Sequence, residues 1–177
     1  SGNKEAHESA ALAFQNYLQL LRRQRDGVLT PEEHKEISQN TPAGNARYTS
    51  PLVTKVQPIV KVDVDLKDAK ELVLVVTDGG NGPSCDHADW IEPKLITTTG
   101  EMKLTELKWK TVNASYGDVY VDKSINGGPL RVGGKKYENG LGTHSTCVLT
   151  YEIPEGAIRF TSLAGLDNSG SDQAGGC

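Results

Sequence analysis

A chain of 177 residues, 36% hydrophobic and 24% charged, with a net charge of -4, is long enough to bury a core and ordinary in composition for a soluble protein. The acid excess speaks against a surface built to neutralise phosphates, and no apolar run approaches the ~20 residues that span a bilayer, so neither nucleic acid nor membrane is an expected partner. Nineteen glycines against one methionine point to a loop-rich, β-dominated body. Three cysteines, Cys85, Cys147 and Cys177, leave at least one free thiol or an intermolecular partner, and no C-x-x-C spacing suggests a zinc ribbon or redox dithiol.

Residues 4–25 predict a helix. Ala11, Phe14, Leu18 and Leu21 recur at helical spacing, and the arginines Arg22, Arg23 and Arg25 fall at its end, where the helix dipole favours them. Asp26-Gly27 stops it. Thr30-Pro31-Glu32-Glu33 opens a second, shorter helix with a capping threonine, proline at the first helical position and Glu33 closing a capping box. The product expected over residues 1–45 is a helical hairpin. Its junction looks like half of an EF-hand loop, but Arg22 and Gln24 stand where aspartates would be needed, so no calcium is expected there. A Pro/Gly/Asn/Ser-rich linker over 42–50 marks the boundary of a second domain, 46–177.

Beyond the linker the period changes from helical to alternating. Val60, Val62, Val64 and Leu66 share one face of a half-buried antiparallel strand, with charges on the other. The apolar run Glu71–Val76 reads as a central strand. Trp90–Thr98 is another strand, in which Pro93 places a bulge or an edge. Lys103–Trp109 is expected to extend, and Tyr116–Val121 to form a polar, aromatic loop or short strand. Leu130–Val132 and Lys135–Tyr137 flank Gly133-Gly134 as a tight hairpin. Gly140–His144 reads as a turn. Cys147, Leu149, Tyr151 and Ile153 alternate on one face, and Ile158–Ala164 is the last clear strand, running into a second acidic, glycine-bearing loop at 165–172. Short strands between glycine turns predict an antiparallel β-sandwich.

The stretch Thr77–Trp90 is the chemical centre of this plan. A strand delivers a loop holding Asp78, Asn81, Asp86, His87 and Asp89, closed by Trp90. Asp78, Asn81, Asp86 and Asp89 are the candidate calcium ligands, since calcium takes several oxygens. The plainer alternative is that Asp86, His87 and Asp89 hydrogen-bond the turn internally.

This loop, ending Asp86-His87-Ala88-Asp89-Trp90, resembles the NPCBM family, the "novel putative carbohydrate-binding modules", also called carbohydrate-binding module family 51. Leu130–His144, with Gly140-Leu141-Gly142-Thr143-His144 at its end, resembles a second block of that family. Ile158-Arg159-Phe160 with Ala164-Gly165-Leu166-Asp167 resembles a third, and Trp109 with Tyr116-Gly117 its opening. The resemblance implies a jelly-roll-like β-sandwich appended to secreted glycan-acting enzymes, with galactose-containing glycans as ligands. The order differs: in the family the tryptophan opening comes first and the Asp-His-Ala-Asp-Trp strand last. Here the ending precedes the opening. Either the tail of one module joins the head of a second, or the module is circularly permuted through a connector such as 98–103. On either account one or two strands are expected beyond residue 177, supplied by a missing segment or by strand exchange with another chain.

The expected function is therefore non-catalytic carbohydrate binding within a larger glycoside hydrolase, outside the cytoplasm (secreted, extracellular or periplasmic). The partners are a glycan and the other domains of the parent enzyme. Trp90, Trp109 and Tyr116 compete for the sugar-stacking role, with His87, His144 and Asn139 as hydrogen-bonding groups. Trp90 at a strand start also fits the core, and His144 a buried, satisfied position. Asp78 and Asp167 could be imagined as a glycosidase pair, but no spacing supports it, and no nucleophile elbow, His-Glu-x-x-His or phosphate-cradling loop occurs. The alternative from another class is a structural spacer or interaction module that binds no sugar; if Trp90, Trp109 and Tyr116 were all buried, no stacking platform would remain.

Overall fold

The computed structural model describes residue 30, residues 46–80 and residues 82–173. The chain divides into two compact units, 1–49 and 50–177. The helical hairpin expected over residues 1–45 lies outside the described residues, apart from Thr30, as do Asn81 and Cys177.

The second unit is mainly β and antiparallel. Its strands are β1 (Ile59–Asp65), β2 (Glu71–Val76), β3 (His87–Thr97), β4 (Gly100–Lys103), β5 (Thr111–Ala114), β6 (Tyr120–Val121), β7 (Leu130–Val132), β8 (Lys135–Tyr137), β9 (Gly140–His144), β10 (Cys147–Glu152) and β11 (Ala157–Leu166). A single-turn helix α1 (Asn168–Ser171) follows. One sheet runs β1-β11-β3-β9-β6, with β4 also on β3; another runs β2-β10-β5; β7 and β8 form a separate hairpin.

Side-chain alternation puts both sheets on one core. Val62 of β1, Phe160 of β11, Leu95 of β3 and Leu141 of β9 meet Leu72 and Leu74 of β2 and Cys147, Leu149 and Tyr151 of β10. Each such side chain contributes about 1.5–3 kcal/mol on burial. The opposite face of the larger sheet is covered by the β7–β8 hairpin, whose Leu130, Val132 and Tyr137 pack on Ile91. Gly133 and Gly134 turn that hairpin with φ of 59° and 80°, a region side chains avoid. Cys147 is a buried free thiol, whereas Cys85 is disulfide-bonded.

Three expectations need correction. The apolar run β2 is not central: it pairs only with β10 and lies at a sheet edge, with Leu72 and Leu74 inward and Val73 exposed. The central strand is β3, which pairs with β11, β9 and β4. Lys103–Trp109 does not extend throughout, because a 3-10 turn at Leu104–Glu106 carries Leu104 into the core. Gly140–His144 is no turn but the fully buried strand β9.

The bulge expected at Pro93 is present, within the central strand. Ile91 pairs with Leu163 and Lys94 with Thr161, so Glu92 and Pro93 together face Ser162. Pairing with β9 ends at Ile91 and pairing with β4 begins at Lys94, so the missing proline N–H falls between two partners. The extra residue also re-phases the strand. Ile91 faces the hairpin, whereas Leu95 faces the second sheet.

Candidate functional site

The first residues of β3 and the last of β9 meet at one rim. His87 and His144 are register partners, their ring centroids 5.3 Å apart at a tilt of 55°. Each is 7% exposed. The Nδ1 of His144 lies 2.6 Å from the Ser145 carbonyl oxygen. A carbonyl only accepts, so this nitrogen carries the proton. The Nδ1 of His87 lies 2.8 Å from Ser169 Oγ on α1.

Neighbouring segments fix this pair. The Asp167 N–H donates to the His87 carbonyl at 2.8 Å, and Asp167 Oδ1 accepts from Ser169 N–H at 2.8 Å, capping α1. Gly170 packs against His87 so closely that an added Cβ would lie 3.1 Å from the ring's Cγ. Across the rim, Ser115 Oγ donates to the Ser145 carbonyl at 2.9 Å and accepts from Thr146 N–H at 2.7 Å. These bonds seat Tyr116 over His144, ring centroids 4.9 Å apart, with Tyr116 itself 63% exposed.

Electrostatics divides the acids by depth. Asp86 Oδ2 accepts from Ser145 Oγ at 2.8 Å. Burial raises its pKa, the Ser145 bond and His144 lower it, and Asp78 raises it again. Burial lowers that of His87, helped by His144 and opposed by Asp167. Asp89 lies on the same strand face as His87 but deeper, 2% exposed, and neither oxygen meets a donor among the described residues. Burial first, then Asp167 beside it, push its carboxyl up to about 10. At neutral pH it is therefore a protonated acid, and its O–H is available to Asp167. Asp167 keeps its own oxygens on Ser169 N–H and on Arg131 N–H at 2.8 Å.

The structure thus brings His87, His144 and Tyr116 together. Trp90 is partly buried against the core, edge-on to Phe160 with centroids 6.3 Å apart, and Trp109 packs on the same core. Asn139 lies at the other end of β9, about 16 Å along the strand from His144. Its amide donates to Thr105 Oγ1 at 2.7 Å and Asp122 Oδ1 at 3.0 Å. Of the calcium candidates, Asp78 and Asp86 are within electrostatic reach, Asp89 is turned to Asp167, and Asn81 lies outside the described residues. Among the described residues no group of three His, Cys, Asp or Glu is arranged to hold a metal ion. Ser115, Ser145, Ser169 and Asp167, which orient the histidines, were missed as site residues. Only Asp167-Asn168-Ser169, a capping sequence after a strand, carried a signal for them.

The family model described as NPCBM/NEW2 domain matches residues 41–96 and 100–176, and the chain belongs to that family. It is a carbohydrate-binding module type found in glycoside hydrolases, and non-catalytic. A stretch of 61 residues is 36% identical to Alpha-1,3-galactosidase B of Akkermansia muciniphila, covering 33% of this chain and 8% of that protein. No solved structure matches significantly. No helix among the described residues is long and apolar enough to cross a membrane.

Proposed function

We propose that this chain is a non-catalytic module that binds galactose-type glycans, within a larger secreted glycan-degrading enzyme. The observation that carries the reading is the exposed ring of Tyr116 seated over His144 at the rim. An aromatic face beside imidazole nitrogens that can hydrogen-bond a hydroxyl suits a pyranose, which offers one apolar face and a fringe of hydroxyls. The 36% identity to part of a galactosidase supports galactose as the sugar. Burial of Trp90, Trp109 and Tyr116 together would leave no stacking platform, and Tyr116 is exposed.

The two matched segments form this module jointly. Strands β1 and β3 of the first alternate with β11 and β9 of the second in one sheet, and β2 pairs with β10 in the other. We read this as a permuted jelly-roll sandwich joined through the β3–β4 turn, not as two half-modules. Calcium enters this reading through Asp78, Asn81 and Asp86 of the loop; a calcium-dependent rise in Tm checks it. Strand exchange is checked by the molecular mass in solution.

The test is calorimetry, preceded by a glycan array, with galactosides on the intact chain. Weak, saturable binding is expected, because a small polar ligand buries little apolar area. Absence of binding to every galactoside would remove the proposal.

A further inference from the structure

We infer that His87 and His144 form a two-histidine site for a borderline transition-metal cation, of the Zn2+, Cu2+ or Ni2+ class, at the rim beside Tyr116. The spacing is the first argument. A metal–imidazole bond is about 2.1 Å and the ring centre lies about 1.1 Å behind the nitrogen, so two rings at a tetrahedral angle on one ion have centres about 5.3 Å apart. The observed separation is 5.3 Å. Cross-strand register holds it, since His87 and His144 are partners on adjacent strands, with Asp167 bonding the His87 backbone from the far side.

The second argument is the state of the nitrogens. Each Nδ1 is held by an oxygen, the Ser145 carbonyl or Ser169 Oγ, and neither Nε2 has a hydrogen-bond partner among the described residues. With the His144 proton fixed on Nδ1, its Nε2 presents a lone pair. This is the arrangement in which metal-binding histidines are normally oriented by their surroundings. Asp86 lies within electrostatic reach of His144, and Asp167 of His87, so a cation meets negative charge there. Two protein nitrogens carry the site and water completes the coordination. This predicts micromolar affinity in the order Cu2+ above Ni2+ and Zn2+, with no uptake of Mg2+ there.

The inference does not rest on the sugar reading, and its test uses no sugar. The chain has four histidines, His7, His34, His87 and His144, so the H7A/H34A protein isolates the pair. Stripped of metal at pH 7.5, it should take up one Zn2+ per chain by calorimetry. Its Cu2+ complex should show two imidazole nitrogens by electron paramagnetic resonance. His87→Gln or His144→Gln should weaken uptake at least tenfold, and Ser169→Ala a few-fold. Lack of saturable uptake in H7A/H34A, or uptake unchanged in both glutamine variants, overturns the assignment. Should those variants fail to fold, the 15N shifts of H7A/H34A decide: Zn2+ must move the Nε2 signals of both remaining rings, and stationary signals sink the idea.

Discussion

The two ends of strand β9 make different use of similar polar groups. At the Asn139 end the side-chain amide is fully engaged: it bridges Thr105 and Asp122, and Asp122 Oδ1 also accepts from Gly140 N–H at 3.0 Å. At the His144 end the Nδ1 atoms are held while the Nε2 atoms are not, and an exposed tyrosine stands over them. One end is closed and architectural; the other is oriented but uncommitted. A run of adjacent motif residues therefore divides between holding the sheet and meeting a ligand, and the division follows hydrogen-bond satisfaction, not position in the motif.

Four substitutions test that division. Gly142→Ala, between the two ends, should have the largest effect. Its Cβ would press on the Lys123 carbonyl and lie 2.6 Å from Ser124 Cα, both backbone. A loss of more than about 3 kcal/mol, or failure to fold, is expected in chemical denaturation.

Asp89→Asn should act through pH. Unfolded Asp89 ionises near its ordinary value, whereas the folded acid stays protonated up to about 10. The native state then binds more protons than the unfolded one between roughly pH 4 and 10, and stability falls as pH rises through that window. The amide introduced by this substitution cannot ionise and can donate to Asp167, so the variant should lose this slope and gain about 1–3 kcal/mol at pH 7–8. Denaturation midpoints of both proteins at pH 5, 7 and 9 check it; parallel curves would contradict it. Burial of His87 gives the opposite sign. Its folded pKa is lowered, so its contribution is present above the unfolded value near 6.5 and is lost as pH falls below it.

Asn139→Ala should cost about 1–2 kcal/mol by removing the donor to Thr105 and one of the two donors to Asp122, with galactoside affinity unchanged. Tyr116→Ala should have the smallest effect on stability, within about 0.5 kcal/mol for an exposed side chain, while weakening galactoside binding tenfold or more by calorimetry. If Asn139→Ala lost sugar and Tyr116→Ala did not, the assignment of the two ends would be reversed.

Legibility in the sequence followed the range of the interactions. The alternation in Val62–Leu66 and Cys147–Tyr151, the Gly133-Gly134 hairpin and the bulge at Pro93 are local, and the residues announced them. That His87 and His144 share one rim was readable because each lies at the end of a family-like block; their register pairing on β3 and β9 was not. Whether β2 lay at the centre or the edge was not, since Leu72-Val73-Leu74 reads alike in both. Nor could Gly140-Leu141-Gly142 show itself as a strand. Its glycines answer to chain at Trp90 and at Lys123-Ser124 pressing from across the sheet, which local propensity cannot register. The Asp89–Asp167 pairing joins residues far apart in the chain, and the bridge from Ser169 to His87 depends on where a single helical turn comes to rest.

The extra residue at Glu92-Pro93 has an effect on how this protein can vary. By resetting the alternation, it lets the first half of β3 answer to the rim and the hairpin while the second half answers to the inter-sheet layer. Straightening the joint with both residues kept would turn Leu95 outward and send Lys94 into the apolar interior, whereas deleting one of the two would leave both facings as they are. Substitutions on either side of the joint, by contrast, leave the orientation of the other half untouched, so ligand preference and core composition can drift separately along one strand.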